Sequence, residues 1–328
     1  MPANLTAQYH KAEAAYRQAE TPQEELECLQ LMLREIPKHK GTDKLQADLK
    51  SKIAKVKVEA AAAKTSTKPS AKIPKQGAGR ILLIGAPNSG KSQLLASLTR
   101  AQPEVAPYPF TTQSPLPGMM QFEDCPFQLI DLPPISADYF DSGVTSLVRG
   151  ADLVFFVVDL ASDELLEDTA AVLNYFTDGK TRFGRETMLD PEDIGVSYTE
   201  TLVVLNKIDD PGAQDRLSML DEFIELPFDR VEVSATQQSG LDELRKQVFE
   251  RLKIVRVYTK HPKEKEPDLS KPFPVREGDT LVEVAELLHR DMAMSLKGAR
   301  VWGEKVHDGT TVKPDYEPVD GDVVELHV

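Results

Sequence analysis

Residues 85–92 read Gly-Ala-Pro-Asn-Ser-Gly-Lys-Ser, the spacing G-x-x-x-x-G-K-[ST] of a phosphate-binding loop. Small residues let successive backbone N–H groups wrap a polyphosphate, and the N-terminus of a following helix adds positive potential. Gly85, Pro87, Asn88, Ser89, Gly90 and Gln93 are expected to line the nucleotide. Lys91 is expected to reach the β- and γ-phosphates as a catalytic cation, and the Ser92 hydroxyl to bind Mg²⁺. Asp131, closing the apolar run 127–131, stands where a second carboxylate holds Mg²⁺ through water. Between them lies Tyr108-Pro109-Phe110-Thr111-Thr112. One of the two threonines, Thr111 or Thr112, completes the Mg²⁺ shell when a γ-phosphate is present, and Thr112 is a catalytic candidate.

A second constellation selects the base. Asn206-Lys207-Ile208-Asp209 follows an apolar run, and doubly wound sheets bind ligands at the carboxyl ends of their strands. The Asp209 carboxylate can accept both the N1–H and the 2-amino group of guanine. Adenine lacks that donor pair, and a site built for it rejects adenine. Ser234-Ala235, after the next run, can add a backbone N–H to the guanine O6. The expected ligands are therefore GTP and GDP. An ATP-using enzyme would require residues 206–209 to be accidental.

These residues need a scaffold. Apolar runs at 80–85, 127–131, 151–159, 201–206 and 230–235 alternate with helical stretches. Continuously apolar strands between helices indicate a mostly parallel, doubly wound α/β sheet covered on both faces. Residues 1–63 read as a helical hairpin. Thr21-Pro22-Gln23-Glu24 forms an N-terminal capping box, and Leu26, Leu29, Leu33 and Ile36 share one face, as do Leu45, Leu49, Ile53 and Val56. Residues 64–79 have a linker composition. The α/β domain is expected over 80–260, a second linker over 261–270, and a small α+β unit over 271–328.

Composition bounds the rest. The 328 residues suggest two or three domains. The net charge of −14 argues against a chain that coats nucleic acid, and no DNA is expected. Residues 1–79 nevertheless carry 14 basic and 9 acidic side chains. Such an arm is either a lysine-rich solvated surface or a contact to phosphate backbone. Two distant cysteines, Cys28 and Cys125, suit a reducing compartment. The longest strongly apolar run, 153–158, is too short to cross a bilayer. A cytoplasmic protein with no membrane partner is expected.

The motifs GAPNSGKS, YPFTT and NKID, in this order, resemble the Obg superfamily of translation-factor-class GTPases. Residues 36–57 resemble the N-terminal helical segment of its developmentally regulated GTP-binding (DRG) subgroup. Residues 299–328 resemble the subgroup's C-terminal TGS domain, a β-grasp module. The resemblance implies GTP hydrolysis, Mg²⁺, and association with ribosomes, RNA or translation factors. It further implies that Asn88 can help bind K⁺ near the phosphates. Two departures stand out. The family carries Asp-x-x-Gly where this chain has Asp131-Leu132-Pro133-Pro134, followed by Ile135. Proline has no N–H to give a γ-phosphate and its φ is set. Slow hydrolysis is expected, or, alternatively, a guanine-nucleotide-binding scaffold with little turnover. The subgroup's inserted helical piece also finds no room between Asp131 and Thr201.

Overall fold

The computed structural model describes residues 5–19, 21–38, 40–63, 73–99, 115–135, 142–190, 193–261 and 266–328. Strands β1 (Arg80–Ile84), β2 (Leu116–Phe122), β3 (Cys125–Asp131), β4 (Leu153–Asp159), β5 (Thr181–Gly184), β6 (Met188–Leu189), β7 (Ser197–Asn206) and β8 (Arg230–Val233) form one sheet. The order runs β2-β3-β1-β4-β7-β5, with β8 and β6 also paired to β7. All pairs are parallel except β2–β3 and β6–β7.

The continuous apolar runs follow from this topology. Ile81 and Leu83 face one core, with Leu129, Phe155 and Leu202. Leu82 and Ile84 face the other, with Ile130, Val154 and Phe156. Successive side chains of a strand point to opposite faces, so a strand covered on both sides must be apolar throughout.

Ten α-helices lie among the described residues: α1 (Ala7–Gln18), α2 (Pro22–Glu35), α3 (Asp43–Ala63), α4 (Lys91–Leu98), α5 (Ser142–Arg149), α6 (Leu165–Asp178), α7 (Ala213–Phe223), α8 (Leu241–Arg251), α9 (Leu281–Leu288) and α10 (Arg290–Ser295). Helices α4 and α8 cover the first face with Leu94, Leu98, Leu244 and Val248. Helices α5, α6 and α7 cover the second with Val148, Phe176 and Leu220.

Among the described residues the N-terminal region holds three α-helices rather than a two-helix hairpin. Helices α2 and α3 are those expected, and the Thr21–Glu24 capping box is formed. Helix α1 is added, its Thr6 cap accepting from the Tyr9 amide. Its buried stripe is Tyr9, Ala12 and Tyr16, spaced three and four but poor in aliphatic residues. The bundle's core, with Leu29, Met32, Leu49 and Val56, extends to Leu189 and Ile194 of the α/β domain.

Several of the arm's cations turn inward. Buried Arg17 donates through Nη2 to the carbonyls of Arg149 (3.1 Å) and Tyr198 (3.3 Å). Lys52 donates to the Ile194 carbonyl at 3.1 Å. The Arg149 guanidinium lies 4.3 Å from the centre of the Tyr16 ring and pairs with Glu25. Burial pushes the Arg17 pKa down to about 10 and that of Lys52 to about 8.

A second sheet, ordered β10-β9-β13-β11-β12, contains β9 (Ile254–Thr259), β10 (Asp268–Arg276), β11 (Gly298–Gly303), β12 (Val306–Val312) and β13 (Val323–His327). Its core is Val257, Val275, Leu281, Val284, Val301 and Val324. Both expected boundaries shift. Strand β9 lies within 80–260 yet pairs only into this sheet, and β10 begins inside the expected linker. The reason is tertiary: an apolar run such as Ile254–Thr259 suits either sheet until its partner strand is known.

Asp152, almost fully buried, binds three parts of the chain. It accepts from Lys75 of the first linker (2.7 Å), the Arg80 amide of β1 (2.7 Å) and Arg276 of β10 (2.6 Å). Burial alone would raise its pKa, but Lys75 and Arg276 outweigh burial and hold it below the usual carboxylate range. Its stabilisation is therefore present above the unfolded-state carboxylate pKa and is lost as pH falls through the lower folded value. Asp152→Ala leaves two cations and an amide without their acceptor and should cost about 3–5 kcal/mol. Chemical denaturation of the full chain should show the loss at pH 7, and an unchanged midpoint would refute this role.

Candidate nucleotide-binding site

Strand β1 ends at Ile84 and the chain turns sharply into the loop. A Cβ on Gly85 would collide with the carbonyl of Val157 on β4, so the strand can approach its neighbour only as glycine. Gly90, at φ +88°, is likewise pressed against the Asn206 side chain. Asn88 and Pro87 are exposed at the tip of the loop, with Asn88 at φ +60°. Helix α4 begins directly at Lys91.

Lys91 is buried and folds back over the loop. Its Nζ donates to the carbonyls of Gly85 (3.0 Å) and Ala86 (2.7 Å) and to Ser89 Oγ (3.3 Å). Burial pushes its pKa down to about 8, against the pull of Asp131 and Asp168. Phosphate oxygens are stronger acceptors for an ammonium than neutral carbonyls, so this cation is set beside the loop amides that would cradle a phosphate.

Ser92 and Asp131 are in contact: the Ser92 hydroxyl donates to Asp131 Oδ2. Asp131 Oδ1 is buried and has no partner among the described residues. Burial raises the Asp131 pKa, and the Ser92 bond and Lys91 oppose the rise. A hydroxyl beside a carboxylate with an unused oxygen is a hard-oxygen pair that fits a hydrated divalent cation. Thr111 and Thr112 lie outside the described residues.

The guanine motif is joined physically to the loop. Asn206 ends β7, is 2% exposed and makes two bonds. Its Nδ2 donates to the Ser89 carbonyl (3.0 Å), and its Oδ1 accepts from the Ala235 amide (3.2 Å). Lys207, at φ +64°, donates through Nζ to the Asn88 carbonyl (3.0 Å) and to Asp159 Oδ2 (2.6 Å). Asp209 is exposed and accepts no bond from the described residues. The Ser234 amide donates to Ser239, and the Ala235 amide already serves Asn206. Donation to a guanine O6 therefore requires the Ala235 amide to be shared. Gln93 is exposed on α4, its amide 3.5 Å from Ser97 Oγ.

Two carboxylates escaped the sequence reading. Asp159, at the end of β4, anchors Lys207 and accepts from the Ala161 amide. The signal was a charged residue closing an otherwise apolar run. Asp168, on α6, lies close enough to influence Lys91, and no sequence spacing points to it.

Beyond β3 the departure from Asp-x-x-Gly has a definite geometry. Pro134 is exposed, Ile135 is buried in the sheet's second core, and the Ile135 amide donates to the Gly85 carbonyl at 3.2 Å. The segment thus leaves the strand pinned to the phosphate loop.

Comparison with known proteins agrees with this geometry. Residues 80–189 match the family described as 50S ribosome-binding GTPases, and residues 255–328 match the TGS domain. An uncharacterized GTP-binding protein of Methanocaldococcus jannaschii is 28% identical over 93% of this chain and 92% of its own length. GTP-binding protein 1 of Schizosaccharomyces pombe is 28% identical over 92% of this chain and 98% of its own. Developmentally-regulated G-protein 2 of Arabidopsis thaliana is 29% identical over 81% of each. The first alignment runs over 366 positions, longer than this 328-residue chain, so that relative carries insertions this chain lacks. The chain thus has a P-loop GTPase domain, matched over residues 80–189, and a TGS domain, matched over residues 255–328, and is similar along most of its length to the developmentally regulated GTP-binding proteins.

Proposed function

We propose that this protein binds GTP and GDP with Mg²⁺, hydrolyses GTP slowly, and uses its nucleotide state to control association with a ribosome or another RNA-bearing partner. The observation that carries the nucleotide reading is Asn206. Its two bonds hold the phosphate loop, β7 and the Ser234–Ala235 loop in one rigid unit, with the Asp209 carboxylate exposed beside it. A base site and a phosphate site at set separation suit a guanine nucleotide.

Ser92 and Asp131 would hold the Mg²⁺, which neutralises charge on the phosphates. Lys91 would exchange its loop carbonyls for phosphate oxygens. Slow turnover follows from the residues after β3. Pro134 has no amide to offer a γ-phosphate, and Ile135 is buried and apolar, so neither orients water. The same feature supports a second reading, a nucleotide-binding scaffold with little turnover. The K⁺ reading for Asn88 is tested by repeating the titration in Na⁺.

The RNA reading rests on the cations left exposed. Lys11, Arg17, Lys52 and Lys75 serve contacts within the chain. Lys50, Lys55 and Lys57 stand exposed on α3 and are the candidates for phosphate contact.

GDP should displace a fluorescent guanine nucleotide from the protein while ADP does not; equal competition would sink the base assignment. Asn206→Ala leaves the Ser89 carbonyl and Ala235 amide without partners and should weaken GDP binding by about 1–3 kcal/mol, or about 5- to 150-fold. Substituting Lys50, Lys55 and Lys57 together by Glu should reduce ribosome co-sedimentation and its salt dependence while GDP affinity stays constant. Retention of salt-sensitive binding by that variant would refute the α3 surface.

A further inference from the structure

The hairpin of β2 and β3 has its two ends in two domains. At one end β3 finishes at Asp131, bonded to Ser92, with Leu116 of β2 directly opposite. At the other end the turn Glu123–Asp124 is held by β9 of the TGS domain. The Arg256 guanidinium pairs with Glu123 and reaches Asp124 at 3.4 Å, and the Tyr258 hydroxyl donates to Asp124 at 2.5 Å. Arg256 is itself set by a two-pronged bond to Asp320, at 2.9 and 2.7 Å. Its guanidinium lies 5.6 Å from the centre of the Phe249 ring, which rests 5.7 Å from that of Phe122 on β2.

The geometry between the two ends is simple. Strand β3 has seven residues, a span of about 20 Å at about 3.3 Å per residue. It pairs with β1 only over Gln128–Asp131. Strand β2 is the edge of the sheet, paired to β3 along one side and joined to Thr99 by a single bridge at Met120. Beyond that register Pro126 accepts from the Ala78 amide at 2.8 Å and Phe127 bridges Gly77, so the half of the hairpin nearest the TGS domain is tied to the segment before β1 and, through its turn, to β9. Charge-assisted bonds of this kind depend on distance and alignment, so a small shift along the strand changes the grip on Glu123 and Asp124.

We propose that the β2–β3 hairpin couples the nucleotide site to the seating of the TGS domain. Engagement of Asp131 by Mg²⁺-nucleotide and the hold of Arg256 and Tyr258 on the turn act on opposite ends of one hydrogen-bonded element. This rests on the guanine-nucleotide reading above. Coupling between two sites is reciprocal. Weakening the TGS grip must therefore change how strongly Mg²⁺ improves nucleotide binding, although the substituted residues sit about 20 Å from the metal side.

The test measures GDP affinity of the full chain with and without Mg²⁺ in four proteins: the unaltered chain, Arg256→Ala, Tyr258→Phe and Lys11→Ala. The last removes a different contact to the TGS domain, that of Lys11 with Glu283 and Glu286 of α9, which does not involve the hairpin. The Mg²⁺-dependent gain in affinity should change about fivefold or more in Arg256→Ala, change in the same direction in Tyr258→Phe, and stay constant in Lys11→Ala. Equal gains in all four proteins would overturn the coupling, as would a Lys11→Ala effect as large as that of Arg256→Ala. If Arg256→Ala does not fold, Tyr258→Phe, which keeps the ring, decides alone. Failure of the unaltered chain to bind GDP would instead remove the nucleotide reading itself.

Discussion

A parallel sheet buried on both faces has one place where polar side chains can gather, the ends of its strands. Ile81–Ile84 of β1, Leu153–Val158 of β4 and Leu202–Leu205 of β7 are each committed to one of two apolar cores. Gly85 follows β1, Asp131 ends β3, Asp159 ends β4, Asn206 ends β7 and Ser234 follows β8. All five therefore stand along one edge, and parallel pairing keeps that edge in register. The bonds from Asn206 to Ser89 and Ala235, and from Lys207 to Asn88 and Asp159, are possible because the strand ends are neighbours.

The charge distribution changes meaning once the chain is folded. The basic N-terminal region is not a free arm: Arg17 is buried and Lys52 half-buried against the GTPase domain, and Lys11 reaches α9. Removing an arginine side chain from water is costly without acceptors, and the carbonyls of Arg149 and Tyr198 supply them. Asp152 does the same for the C-terminal unit, joining the first linker, β1 and β10. Ion pairs as enclosed as these specify how the parts dock more than they add stability.

The replacement of glycine by Pro134 is a local matter with a wider consequence. A glycine there could swing and donate its amide. Here the following amide, that of Ile135, is bonded to Gly85 and its side chain is buried. The segment after β3 is thereby tied to the phosphate loop itself, while the other end of the β2–β3 hairpin is held by the TGS domain.

The sequence alone determined what depends on local chemistry. The phosphate loop, the guanine motif, the capping box of α2 and the two-faced strands were all legible, because spacing and side-chain type dictate them directly. Helix α1 was not, since Tyr9, Ala12 and Tyr16 form too weak an apolar stripe to stand out. The membership of β9 was not, because an apolar run does not carry the identity of its neighbour. Asp159 and Asp168 join the site only when β4 and α6 are brought beside the loop. The three-domain clamp of Lys11, Arg17 and Asp152 was equally hidden: a charged residue in a sequence reads as free surface until the fold supplies its partner, and that partner lies more than a hundred residues away for Lys11 and Arg17.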